Sequence, residues 1–65
     1  MKFIKLTECY SQKTKEIYIN VDMIGGMYVE GNRTILKHLS HNNGGYYIQE
    51  TPQKILKLIE EAKAI

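Results

Sequence analysis

Apolar and polar residues change period once along this chain, at Thr51-Pro52. Before that point they alternate in short runs broken by glycine and asparagine, which is the pattern of strands and turns; after it they recur at helical spacing. Ile4 and Leu6 alternate with Lys5 and Thr7, predicting a half-buried first strand over 2–10. Ser11 to Thr14 is polar and reads as a loop. The clearest alternation follows over 16–21, where Ile17, Ile19 and Val21 fall on one face and Glu16, Tyr18 and Asn20 on the other. Val21-Asp22-Met23-Ile24 followed by Gly25-Gly26 breaks it, so a turn or short irregular stretch is expected to re-aim the chain.

A third strand, Met27 to Glu30, and a fourth, Thr34 to Leu39, flank Gly31-Asn32-Arg33. Glycine and asparagine tolerate the positive φ of tight turns, so these two strands are expected to pair as a hairpin. Ser40 to Gly45 is a longer turn, leading to a fifth strand over Tyr46 to Glu50. Thr51 then suits the N-cap of a helix and Pro52 its first position, where the missing N–H costs nothing. Ile55, Leu58, Ile59 and Ala62, with Ile65 one turn further, form one apolar stripe along a helix predicted over 52–64. A helix this short is marginal alone in water, so the stripe must dock on the sheet.

These elements predict a single α+β domain over 1–65: an antiparallel β-meander of about five strands, strongly twisted and curled toward a small barrel, with one C-terminal helix packed on one face. If Ile17, Ile19, Val21, Met27, Val29 and Ile48 face that helix, alternation puts Tyr18, Tyr28 and Tyr47 on the opposite face beside Asn20, Glu30 and Gln49. Tyrosine carries a large apolar ring with a polar tip and is enriched at interfaces, so Tyr18, Tyr28, Tyr47, Asn20 and Gln49 are the candidate interaction residues.

Composition narrows the function classes. A chain of 65 residues buries only about 60% of its unfolded surface, which leaves good packing or self-association to complete its stability. The lone Cys9 cannot close an intramolecular disulfide. No apolar run suits a signal peptide or a membrane span, so a cytoplasmic location without a membrane partner is expected. The net charge of +2 is uneven: Lys2, Lys5, Lys13 and Lys15 crowd the first fifteen residues against Glu8 alone, while residues 16–50 lean acidic. That surplus is too small to stand for a dense basic stripe.

Chemistry is sparse. His38 and His41 form a His-x-x-His pair that Cys9 could join only if the first strand lay beside the fourth, which falls short of the convergent ligand set of a structural metal site. Gly25-Gly26 and Gly44-Gly45 lack the spacing and following helix of a phosphate loop, and read as turns. No catalytic residue, cofactor or metal is expected.

Ile4-Lys5-Leu6-Thr7, Glu16-Ile17-Tyr18-Ile19-Asn20 running into Asp22 and Ile24, Thr34-Ile35, and Glu50-Thr51 leading to Ile55 and Ile59 carry one resemblance. Over nearly its whole length the chain resembles the FlbD-like family of small flagellar-operon and swarming-motility proteins. It departs from that pattern in a longer Ser11 to Lys15 loop and in Ser40 to Gly45, which replaces a tight turn. The resemblance implies a cytoplasmic, non-enzymatic accessory protein. The leading expectation is therefore a protein-interaction module that self-associates into a homo-oligomer, its partner protein unknown. The second is a small nucleic-acid-binding regulator using the lysine-rich first strand and the tyrosine face.

Overall fold

The computed structural model describes residues 1–40 and 44–64. Five antiparallel strands form one sheet: β1 (Phe3–Tyr10), β2 (Lys13–Asn20), β3 (Ile24–Glu30), β4 (Arg33–His38) and β5 (Gly45–Ile48), in the order β2-β1-β5-β4-β3. Helix α1 (Pro52–Glu61) follows them and rests on β1 and β3. The α+β meander expected from the period change is thus the observed architecture.

The register dictates how the sheet coils. Asn20 at the end of β2 faces Phe3, whereas Glu8, five positions further along β1, faces Ile48 of β5. The same Ile48 faces Thr34, and Ile24 at the start of β3 faces His38, four positions beyond Thr34. In a flat sheet the end of β2 and the start of β3 would lie about 30 Å apart along the strands and about 19 Å across them. Only the 3-10 turn Val21–Met23 joins them, and a linker of that length spans at most about 14 Å. The sheet must therefore coil strongly toward a barrel, which stays open because β2 and β3 do not pair with each other. The turn is fastened on both sides: Val21 N–H donates to the Lys2 carbonyl at 2.9 Å, and Leu39 N–H donates to the Met23 carbonyl at 2.8 Å.

Inside the coil, Ile4, Leu6, Ile19, Leu36, Ile48 and Ile55 make one buried cluster, with Ile17, Val21, Ile24, Met27, Tyr46, Leu58, Ile59 and Ala62 packed against it. Alternation explains most of it: Ile4 and Leu6 face Ile19 and Ile17 on the core side of the first hairpin. Val29 does not join the core. It has the parity of Met27 but remains 59% exposed, because it stands near the end of the edge strand β3 where nothing covers it.

Several boundaries differ from the sequence expectation. The first loop is only Ser11-Gln12, so β2 begins at Lys13 and ends at Asn20, with Val21 already in the 3-10 turn. Ser11 (φ 53) and Gln12 (φ 67) both occupy the left-handed region, as the two central residues of a type I′ turn do. β3 starts at Ile24, with a bulge at Gly25 where the pairing to β4 slips. β4 runs from Arg33 to His38, and β5 stops at Ile48 because Gln49 and Glu50 bend away. The helix ends at Glu61 rather than 64: Ala62 is extended (ψ 142) and Ala64 forms a bridge with Lys2 beside the first strand. His41, the middle of the turn expected over 40–45, and Ile65 lie outside the described residues.

Candidate functional site: the outward sheet face and its edges

Cross-strand pairing brings the central tyrosines together. Tyr28 faces Ile35 across the β3–β4 ladder and Ile35 faces Tyr47 across the β4–β5 ladder, making a row Tyr28, Ile35, Tyr47 on the side away from the core cluster. Ile35 is only 4% exposed although it is no member of that cluster. An outward-facing isoleucine is shielded to that degree only when its neighbours close over it, so this part of the outer face is itself packed.

Cations complete the row. The Arg33 guanidinium stands 4.2 Å from the Tyr47 ring centre, and the Lys37 ammonium 5.9 Å from that of Tyr28. Tyr10 stacks on Tyr47 with ring centres 6.3 Å apart and planes 6° from parallel. Tyr47 is accordingly half-buried, while Tyr28 keeps 47% of its surface in solvent.

The other expected interaction residues stand apart from this row. Tyr18 faces Lys5 on the β1–β2 hairpin and is 69% exposed. Asn20 is a capping residue, its side-chain carbonyl accepting from the Asp22 N–H at 3.0 Å. Gln49 is exposed in the bend after β5, its N–H donating to the Thr7 carbonyl at 2.9 Å. Alternation therefore identified the shared face of Tyr28 and Tyr47, but not the participation of Arg33, Lys37 and Tyr10. Arg33 and Lys37 are diagonal cross-strand neighbours of the tyrosines, a relation only the register reveals, and register is not readable from one strand at a time. Tyr10 reaches Tyr47 from the end of β1, beyond the single pair Glu8–Ile48 that joins β1 to β5.

A second feature lies at the turn end of the first hairpin, beyond the reach of the core. Glu8, Tyr10, Lys13, Thr14 and Lys15 line an open groove of about 450 Å³. The Lys15 ammonium and Glu8 carboxylate approach to 3.7 Å across it. On the outer surface of the same hairpin, Lys5 and Glu16 pair at 3.3 Å, both largely exposed.

The sheet also presents free edges. A two-residue hairpin makes its flanking residues a hydrogen-bonded pair, and bonded and non-bonded pairs then alternate. Tyr10–Lys13 is such a pair, so Thr14, Glu16 and Tyr18 turn their backbone groups outward from β2. Glu30–Arg33 is the other, so Met27 and Val29 turn theirs outward from β3.

Cys9 is half-buried and free. Among the described residues no three of His, Cys, Asp and Glu converge on a point where a metal ion could sit. The His38 imidazole is engaged within the fold, its Nδ1 accepting from the Ser40 N–H at 3.2 Å and its ring meeting Tyr46 edge-on at 5.8 Å. Among the described residues no helix is long and apolar enough to cross a membrane. No family model, no curated protein and no solved structure matches the chain.

Proposed function

We propose that this protein is a non-enzymatic interaction module that works by binding other protein surfaces, copies of itself first among them. The observation that carries this reading is the packed outward row Tyr28, Ile35, Tyr47 with Arg33 and Lys37 laid on its rings. Tyrosine and arginine concentrate binding energy at protein interfaces, and a rigid, pre-packed platform loses little side-chain entropy on association. The size of the chain acts in the same direction, since association buries apolar area that a 65-residue core lacks. The resemblance to FlbD-like proteins points toward an accessory role in the cytoplasm.

A nucleic-acid-binding regulator is the second reading. Tyr10 links the lysine-lined groove of the first hairpin to Tyr47 and Arg33, so cations and aromatics do adjoin. Single-stranded nucleic acid, however, stacks its bases on open ring faces. The rings of Tyr47 and Tyr28 already meet a guanidinium, a second tyrosine and an ammonium, which favours the protein interface.

Sedimentation across about a hundredfold dilution tests the leading reading. A species heavier than the monomer should appear at high concentration, and Tyr28→Ser should weaken it more than Tyr10→Ser. A protein that stays monomeric at high micromolar concentration, yet binds oligonucleotides with an affinity falling steeply as salt rises, would replace it with the second.

A further inference from the structure

The two edges of the sheet are built differently. β2 carries Lys13, Lys15 and Glu16 along its length, the kind of charged edge that resists pairing with another strand. β3 reads Ile24-Gly25-Gly26-Met27-Tyr28-Val29-Glu30, with neither lysine nor proline and with a charge only at its last residue. Its exposed segment shows an apolar side chain on either face, Val29 at 59% and Tyr28 at 47% exposure. Its unpaired backbone groups belong to Met27 and Val29.

We propose that β3 is the self-association edge, pairing antiparallel with β3 of a second copy about a two-fold axis through Tyr28. The inference rests on the self-association reading and specifies its surface. In this register Met27 meets the second copy's Val29 and Val29 its Met27, the very residues whose N–H and C=O groups point outward, so each pair exchanges hydrogen bonds in both directions. Tyr28 meets its own counterpart on the outer face. One step further out, Glu30 stands opposite Gly26 of the second copy.

That last pairing supplies the selectivity. Gly26 faces Lys37 on β4, and Gly26, Lys37 and Glu30 share the outer face by alternation. With no side chain on Gly26, nothing stands between the Glu30 carboxylate of one copy and the Lys37 ammonium of the other. Their Cα atoms lie about 10 Å apart, within the joint reach of the two side chains. Lys37 already leans toward β3, its ammonium lying over the Tyr28 ring. Glu30 is exposed and is not in either described ion pair, Lys5–Glu16 or Lys15–Glu8. The two-fold axis makes the contact twice, once at each end of the ladder, with the central tyrosine pair between. Shifting the register by one hydrogen-bonding step either way sets Tyr28 against Gly26 or against Glu30 and loses both ion pairs.

The joint is short, because the Gly25 bulge ends one side of it and the Gly31-Asn32 turn the other. It buries less than the roughly 1,200 Å² of a stable complex, so the dimer should be weak and concentration-dependent.

Charge reversal tests it. Glu30→Lys and Lys37→Glu, each alone, should weaken dimerisation at least tenfold in sedimentation equilibrium, and the double variant should recover most of the loss. Both side chains are exposed, so an unchanged far-ultraviolet spectrum will verify the fold. Hydrogen exchange gives the second readout: the amides of Met27 and Val29 should gain protection with concentration, while that of Tyr28, bonded to β4, stays protected throughout. Self-association that ignores both reversals, or that instead protects Thr14, Glu16 and Tyr18, would overturn the β3 edge and leave the self-association reading standing. A wild-type chain that remains monomeric would overturn both. Reversals that weaken the dimer without mutual rescue would refute the Glu30–Lys37 contact and the register with it.

Discussion

Glu50 holds Thr7 with both carboxylate oxygens, one accepting from the Thr7 backbone N–H at 2.8 Å and the other from its hydroxyl at 2.9 Å. The backbone carbonyl of Glu50 meanwhile accepts from the hydroxyl of buried Thr34 at 2.7 Å. One residue thus joins β1, β4 and the entry to the helix, directly before the cap. Thr7, Asn20, Glu50 and Thr51, all among the positions on which the resemblance to FlbD-like proteins was read, serve such local fastenings. Their identity is accounted for by folding, and the tyrosine row stands outside them.

Glu50→Ala should therefore destabilise by about 1–3 kcal/mol in denaturant melts, since it strands the Thr7 N–H in a part-buried site. Thr7→Val removes only the hydroxyl bond and should cost less. In a double-mutant cycle the two changes should couple strongly, because they share one partner. Additive losses would show that the clasp is not formed in solution.

Ile55 is the helix residue that the core encloses completely. Ile55→Ala should cost about 2–5 kcal/mol through lost burial and a residual cavity. Leu56, its neighbour in sequence, is 57% exposed, and Leu56→Ala should fall within about 0.5 kcal/mol of the parent. Similar losses from the two would mean that the helix is rotated from the seat described.

Element order and hairpin partners were legible because they are local: Gly31-Asn32 signals its turn, and Thr51-Pro52 its helix start. The remainder depended on partners distant in sequence. Thr7 and Glu50 are separated by 43 positions and share no pattern that either strand displays. Lys13-Thr14-Lys15 read as loop because that stretch of β2 extends past the core and lines the groove, so neither of its faces is apolar. Propensity alone carries the helix on through Ala62-Lys63-Ala64, whereas the chain leaves it after Glu61 and brings Ala64 beside Lys2. The tyrosine face was visible as alternation, but its cations became part of it only once three strands were aligned.

Ser11-Gln12 forms a turn that ordinarily demands glycine or asparagine. At φ 67, Gln12 pays a steric cost of roughly 1 kcal/mol that glycine avoids. Gln12→Gly should accordingly raise the melting temperature, an unusual outcome for a glycine introduced into a chain, where added unfolded-state entropy normally destabilises. Ser11→Asn should act in the same direction. A lowered melting temperature for Gln12→Gly would indicate a longer loop than the two-residue turn.

The adjacent glycines Gly44 and Gly45, where β5 begins, offer a sharper test of the β4–β5 register. A Cβ placed on Gly45 would come within 2.5 Å of the Leu36 carbonyl oxygen and 3.4 Å of an Ile35 methyl, whereas one on Gly44 meets nothing within 4 Å. The oxygen belongs to the backbone of a central strand and cannot swing aside as a side chain would. Gly45→Ala must therefore push β5 away from β4, straining a ladder that also carries Tyr47 opposite Ile35. We expect a loss of about 1–3 kcal/mol, the range for overpacking, together with a changed near-ultraviolet tyrosine signal as Tyr47 shifts against Arg33 and Tyr10. Gly44→Ala takes no such contact and should be neutral or stabilising by up to about 1 kcal/mol. If both substitutions are tolerated alike, β5 is not held in the register that builds the tyrosine row, and the platform proposed for partner binding would lose its structural basis.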